Sequence, residues 1–158
     1  MEKIELDGRI GLTLPDGFHV MQEDEKRKLR LVAEGEYAAF ADPARHITAT
    51  VGWRDIGLVS ALLVSSSDAA QSAQKQIAAA MREYRYELSG FLQRDIRGRK
   101  AGGFRYTYVA GGSGMSGETF ALKYGKRMYY FNVYYRTVLA GESRKTWEEI
   151  LDSVSELK

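Results

Sequence analysis

The chain has 158 residues, 23 Lys and Arg against 21 Asp and Glu, a net charge of +2 and an apolar share of 44%. That length supports one domain over 1–158, burying roughly two-thirds of the surface of the unfolded chain. The lack of cysteine excludes disulfides, thiol catalysis and thiolate metal sites, while two prolines and ten tyrosines are unlike a disordered chain.

In chain order, Ile10–Leu14 reads as extended and ends at the turn Pro15-Asp16-Gly17. Phe18, Val20 and Met21 resume an extended segment, Glu23–Lys28 reads as a charged loop or bend, and Leu29–Ala33 as a strand. Tyr37–Ala41 and His46–Trp53 flank Asp42-Pro43-Ala44-Arg45 as an antiparallel hairpin. Ile47, Ala49 and Val51 then share one face of its second arm, and His46, Thr48 and Thr50 the other. Ile56–Val64 is apolar and stays open between strand and short helix. Ser65–Asp68 starts a helix, with Asp68 and Gln71 as the expected capping box and Ala70, Ala73, Ile77, Ala80, Met81 and Tyr84 as its buried stripe.

Leu88–Ile96 and Gly103–Val109 read as strands around the turn Arg97-Gly98-Arg99-Lys100, and Ala110–Gly114 as a flexible loop. Two aromatic strands follow, Gly117–Tyr124 and Arg127–Thr137, joined by a tight Gly125-Lys126 turn. Ser143 is the expected cap of a last helix that runs close to the C-terminus, with Trp147, Ile150, Leu151, Val154 and Leu157 buried. The strand after Lys126 is apolar on both sides, with Tyr129, Phe131, Val133 and Tyr135 against Met128, Tyr130 and Tyr134. A strand covered on one side alternates more cleanly, so helices are expected on both faces. The expected class is α+β, a single mainly antiparallel sheet sandwiched between helices.

The order of turns and apolar positions resembles the PsbP-like family, which includes the extrinsic PsbP subunit of photosystem II, the Ran-binding nuclear import factor of yeast and bacterial DcrB-like proteins. The matching residues are Leu14-Pro15-Asp16-Gly17-Phe18, the helix before Leu88, the Ile96–Tyr108 hairpin with Gly98 and Gly102, Lys123–Asn132, and Trp147–Val154. The resemblance implies an antiparallel sheet between helices and a non-enzymatic role through protein contacts. In bacterial relatives a cytosolic form chaperones type VI secretion effectors by shielding apolar segments, so a chaperone or adaptor role is one candidate. Some relatives are exported lipoproteins, and this chain departs from them in having no cysteine.

Chemistry is sparse. His19 and His46 have no companions at metal-ligand spacing, so no metal and no cofactor are expected. Ser65–Ser67 lack a nucleophile elbow, and Gly111–Gly117 lacks the Lys-Ser/Thr ending and following helix of a phosphate loop. Arg94, Arg97, Arg99, Lys100 and Arg105 make a basic hairpin with Arg97, Arg99 and Lys100 as its basic surface, read either as a contact for acidic protein, phospholipid or nucleic acid or as a charged edge that resists aggregation. Tyr106, Tyr108, Tyr130, Asn132, Tyr134 and Arg136 are the candidate protein-binding residues, with strand core as the competing reading of the tyrosines. The expected partner is an unidentified protein. The charge halves, −3 over 1–79 and +5 over 80–158, are too mild for nucleic acid. No apolar run spans a membrane, and the acidic start Met1–Asp7 is unlike a signal peptide, so the expected location is the cytoplasm. The alternative function is a small-ligand or lipid-binding module with a pocket between sheet and helix.

Overall fold

The structure, a computed structural model, describes residues 1–29 and 35–157. The elements in chain order are β1 (Glu2–Glu5), β2 (Ile10–Leu14), β3 (His19–Val20), α1 (Glu23–Lys26), β4 (Glu36–Asp42), β5 (Ile47–Asp55), α2 (Gly57–Leu63), α3 (Ser66–Ala80), β6 (Glu87–Ile96), β7 (Arg99–Ala110), β8 (Ser113–Tyr124), β9 (Arg127–Arg136), α4 (Ala140–Asp152) and β10 (Ser155–Glu156). Seven strands form one sheet, ordered β3-β4-β5-β9-β8-β7-β6, and β1-β2-β10 form a smaller one. The pairings are antiparallel throughout.

Both faces of the large sheet are covered, because β9 is apolar on both sides. Tyr129, Phe131, Val133 and Tyr135 meet Trp147, Ile150 and Leu151 of α4, together with Ile10, Leu12 and Leu14 of β2. On the other face Phe104, Tyr106, Ala121 and Met128 meet Ala69, Ala70 and Ile77 of α3. The small sheet thus shares one face with α4, an element that the expectation of one helix per face did not contain.

Several local expectations change. The Ala110–Gly114 loop shrinks to a two-residue turn, since Gly111 and Gly112 both take positive φ and the strands run up to them. The cap of α3 is Ser65, whose Oγ accepts from the Asp68 N–H while the Asp68 carboxylate accepts from the Ser65 N–H, each at 3.0 Å. α3 ends at Ala80, which leaves Tyr84 outside the helix, and both Ala80 and Tyr84 are exposed rather than part of a buried stripe. α4 begins at Ala140, which puts Ser143 inside the helix, buried, rather than at its cap. It ends at Asp152 because the chain then turns to pair β10 with β2, leaving Val154 buried and Leu157 half-buried outside the helix. Glu23–Lys26 is a short helix closed by a Gln22/Glu25 capping box. Ile56–Val64 resolves to a helix, α2, with no fully buried residue. The expected strand Leu29–Ala33 lies, past Leu29, outside the described residues.

Candidate functional site

The candidate tyrosines converge on the α3 side of the large sheet. Register does this: Tyr134 stands opposite Gly117 and Thr48, Asn132 opposite Thr119 and Thr50, and Tyr130 opposite Ala121 and Gly52. Tyr106 stands opposite Gly117 and Tyr108 opposite Met115. Each large ring is therefore flanked by smaller neighbours, which gives it room to lie flat on the sheet. Gly117 is the sharpest case, because any Cβ there would overlap the Tyr106 ring.

Tyr106 and Asn132 lie in the interior, contrary to an open recognition face at those two positions. Tyr106 is fully buried among Tyr86, Phe104 and Tyr108, with ring centroids 5.3, 5.7 and 5.9 Å away. Its hydroxyl makes no well-formed hydrogen bond among the described residues, but it lies close enough to the Tyr134 hydroxyl to interact with it. Burial, reinforced by the neighbouring Tyr134, Tyr108 and Tyr86 hydroxyls, holds its ionisation well above the usual tyrosine range. Asn132 can be buried because both ends of its amide are satisfied. Its Oδ1 accepts from Thr119 Oγ1 at 2.6 Å and its Nδ2 donates to Thr50 Oγ1 at 3.2 Å.

The other four reach the surface. Tyr108, Tyr130 and Tyr134 are half-buried and Arg136 is exposed. α3 packs on β7 and β8, so Tyr130 and Tyr134 sit beyond the helix, toward β5. Tyr130 is held by Arg54, whose guanidinium donates to its hydroxyl at 3.3 Å and lies 5.8 Å from its ring centroid. Arg136 lines an open cleft of about 670 Å³ with Thr48, Ala110, Ser113 and Met115. Burial pushes the Tyr108 hydroxyl up to about 12 and raises that of Tyr134. At neutral pH both are therefore protonated, able to hydrogen-bond but not to act as a base.

The basic hairpin is divided by strand alternation. Arg94 bridges Glu148 and Asp152 of α4 at 2.6 Å each, and Arg105 pairs with buried Glu118 at 2.9 Å. Arg99 lies 4.0 Å over the Tyr124 ring and 3.9 Å from Glu156. Arg97 and Lys100 stay exposed, Arg97 with φ of 53° at the turn. His19 bonds Glu25 at 3.0 Å, and His46 is exposed beyond Arg45. Among the described residues no group of three or more His, Cys, Asp or Glu could hold a metal.

Two further features involve none of the candidate residues. Asp7 accepts from Tyr129, Arg127 and two backbone N–H groups, and Arg127 also donates to Asp55. The partners are about 120 positions apart, so no spacing signal links them. The second is α2, which exposes Leu58, Val59, Leu62 and Leu63. Its signal was the apolar run Ile56–Val64, with nothing to show that the run stays uncovered.

No protein-family model matches the chain, and no curated protein matches it significantly. Solved structures do. Cyanobacterial PsbP from Synechocystis sp. PCC 6803 aligns over 96% of this chain and 88% of its own, with a TM-score of 0.68 at 15% identity. LpqN, involved in cell envelope biogenesis of Mycobacterium tuberculosis, aligns over 94% and 83%, with a TM-score of 0.64 at 14% identity. The Saccharomyces cerevisiae Ran-binding protein Mog1p aligns over 98% and 94%, with a TM-score of 0.59 at 11% identity. The chain has the PsbP-like fold.

Proposed function

We propose that this chain is a non-enzymatic protein-binding domain, a chaperone or adaptor, that uses the tyrosine face of its large sheet. The observation that carries this reading is the grouping of half-buried Tyr108, Tyr130 and Tyr134 with exposed Arg136 on one face. Tyrosine and arginine are residue types in which binding energy concentrates. Tyr106 and Asn132 form a rigid floor beneath them, which lowers the entropy lost on binding. Mog1p is a Ran-binding protein, which supports a protein as the class of partner. In this reading residues 1–158 act as one domain, because β2 pairs with strands from both ends of the chain. A cytoplasmic site of action belongs to the same reading.

Photo-crosslinking in the native cell tests it, with benzoylphenylalanine at Tyr130 or Arg136 and, as a control, at exposed Glu149 on α4. The expected result is a discrete protein adduct from the face positions alone, weakened at least ~tenfold in affinity by Tyr134→Ala. Equal adducts from all three positions, or none, would refute the reading.

One cleft favours the second reading, a small-ligand or lipid-binding module. It lies between α3 and the β6-β7 edge, about 350 Å³, lined by Ser67, Ala70, Gln71, Phe91, Gly102 and Gly103 among others. That volume suits a small ligand, and co-purified lipid seen by native mass spectrometry, lost in Phe91→Ser, would favour this reading over the first.

A further inference from the structure

Neither reading uses α2. Its sequence, Gly-Leu-Val-Ser-Ala-Leu-Leu, carries no charge and buries no residue fully. Leu58, Val59, Leu62 and Leu63 are 61%, 68%, 76% and 75% exposed. Leu58 and Leu62, and Val59 and Leu63, are four residues apart, so the four make one outward strip. Half-buried Ser60 and Ala61 turn the other way. The helix is fixed in place: the Ile56 N–H donates to the Lys126 carbonyl at 2.9 Å, and Lys123 Nζ donates to the Ala61 carbonyl at 2.8 Å.

The surroundings are cationic. Lys123 and Arg54 are the penultimate residues of β8 and β5, and Lys126 sits in the β8–β9 turn. Lys100 is two residues from Gly102, against which Ser67 packs, so it shares the same sheet face. Of the carboxylates nearby, Asp55 is engaged by Arg127 and Asp68 by the Ser65 cap, and Asp95 stands opposite Lys100.

We propose that α2 docks this protein on the surface of an anionic phospholipid bilayer. The four aliphatic side chains enter the acyl boundary, and Arg54, Lys100 and Lys126 meet the headgroups. Two observations favour lipid over a protein partner. The strip lacks the Trp, Tyr and Arg anchors of protein hot spots, where Leu and Val are under-represented. Aliphatic side chains with lysines at their rim are what an anionic interface takes without shape complementarity. The helix lies on the bilayer; none among the described residues is long and apolar enough to cross it.

The test is co-sedimentation of the full chain with vesicles of equimolar phosphatidylcholine and phosphatidylglycerol, and with phosphatidylcholine alone. The expected result is binding to the anionic vesicles that weakens with salt. The double variant Leu62→Ser, Leu63→Ser should lose at least ~tenfold in partitioning, since two leucines leave the interface. Lys126→Gln should lose ~fivefold, the share of one interfacial lysine. Both variants should melt like the wild type, because the altered side chains are exposed. The proposal is overturned by equal binding to the two vesicles, by no binding to either, or by binding that survives the serine pair. It is equally overturned if the wild type is a dimer that the serine pair dissolves, since a second copy then covers the strip.

Discussion

Asp7 shows how one buried charge is made tolerable. Its side chain is 1% exposed, and it accepts from Arg127 at 2.8 Å, from the Tyr129 hydroxyl, and from the Arg9 and Ile10 N–H groups. Burial pushes its carboxyl up from 3.8, but these donors outweigh burial and leave it below that value. The unfolded chain therefore takes up the proton first in acid. The stabilisation is full above about pH 4 and is lost as pH falls through the folded value. Asp7→Asn should remove that acid dependence and cost about 2 kcal/mol at neutral pH, as measured by urea unfolding across a pH series; an unchanged acid limb would show that Asp7 contributes nothing to it. Tyr106 is the opposite case, a buried hydroxyl whose polar neighbour, the Tyr134 hydroxyl, gives it no well-formed hydrogen bond. Tyr106→Phe should therefore be neutral or stabilising by about 1 kcal/mol. Gly117→Ala, which drives a methyl into that same ring, should destabilise by roughly 1–3 kcal/mol. Thermal melts of the two variants should move in opposite directions or differ clearly in size.

Among the elements, α4 carries the largest single anchor. Trp147 is 1% exposed and packs against the face of β9 that holds Tyr129 and Phe131. Trp147→Ala should cost about 3–5 kcal/mol, and an unchanged melting temperature would contradict the packing described. The helical spacing of Trp147, Ile150 and Leu151 made this helix legible, as did the exposed Arg144, Lys145, Glu148 and Glu149 on its other side. The two-sided apolar pattern of β9 likewise announced cover on both faces. Short elements were not legible. β10 has two residues and forms only because β2 presents Gly11 and Ile10 to it, a pairing across more than 140 positions. Of the candidate site, alternation put Tyr130, Asn132, Tyr134 and Arg136 on one face of β9. It did not reveal depth, because Asn132 is buried by Thr50 and Thr119 bonding its amide, and those threonines belong to two other strands.

For the whole molecule, the ladder β5–β9 joins Ile47 to Tyr135 and Asp55 to Arg127, so the centre of the sheet pairs distant parts of the chain. Such closure is slow, and refolding on the order of milliseconds to seconds is expected; stopped-flow fluorescence of Trp53 and Trp147 measures it, and microsecond refolding would mean that local contacts dominate. The small sheet has another consequence. Glu5 and Ser155 both stand opposite Gly11, on either side of β2, which places them about two strand spacings, roughly 10 Å, apart. β1 and β10 are thus neighbours across a single strand. Fraying of either β1 or β10 therefore leaves β2 paired on one side only.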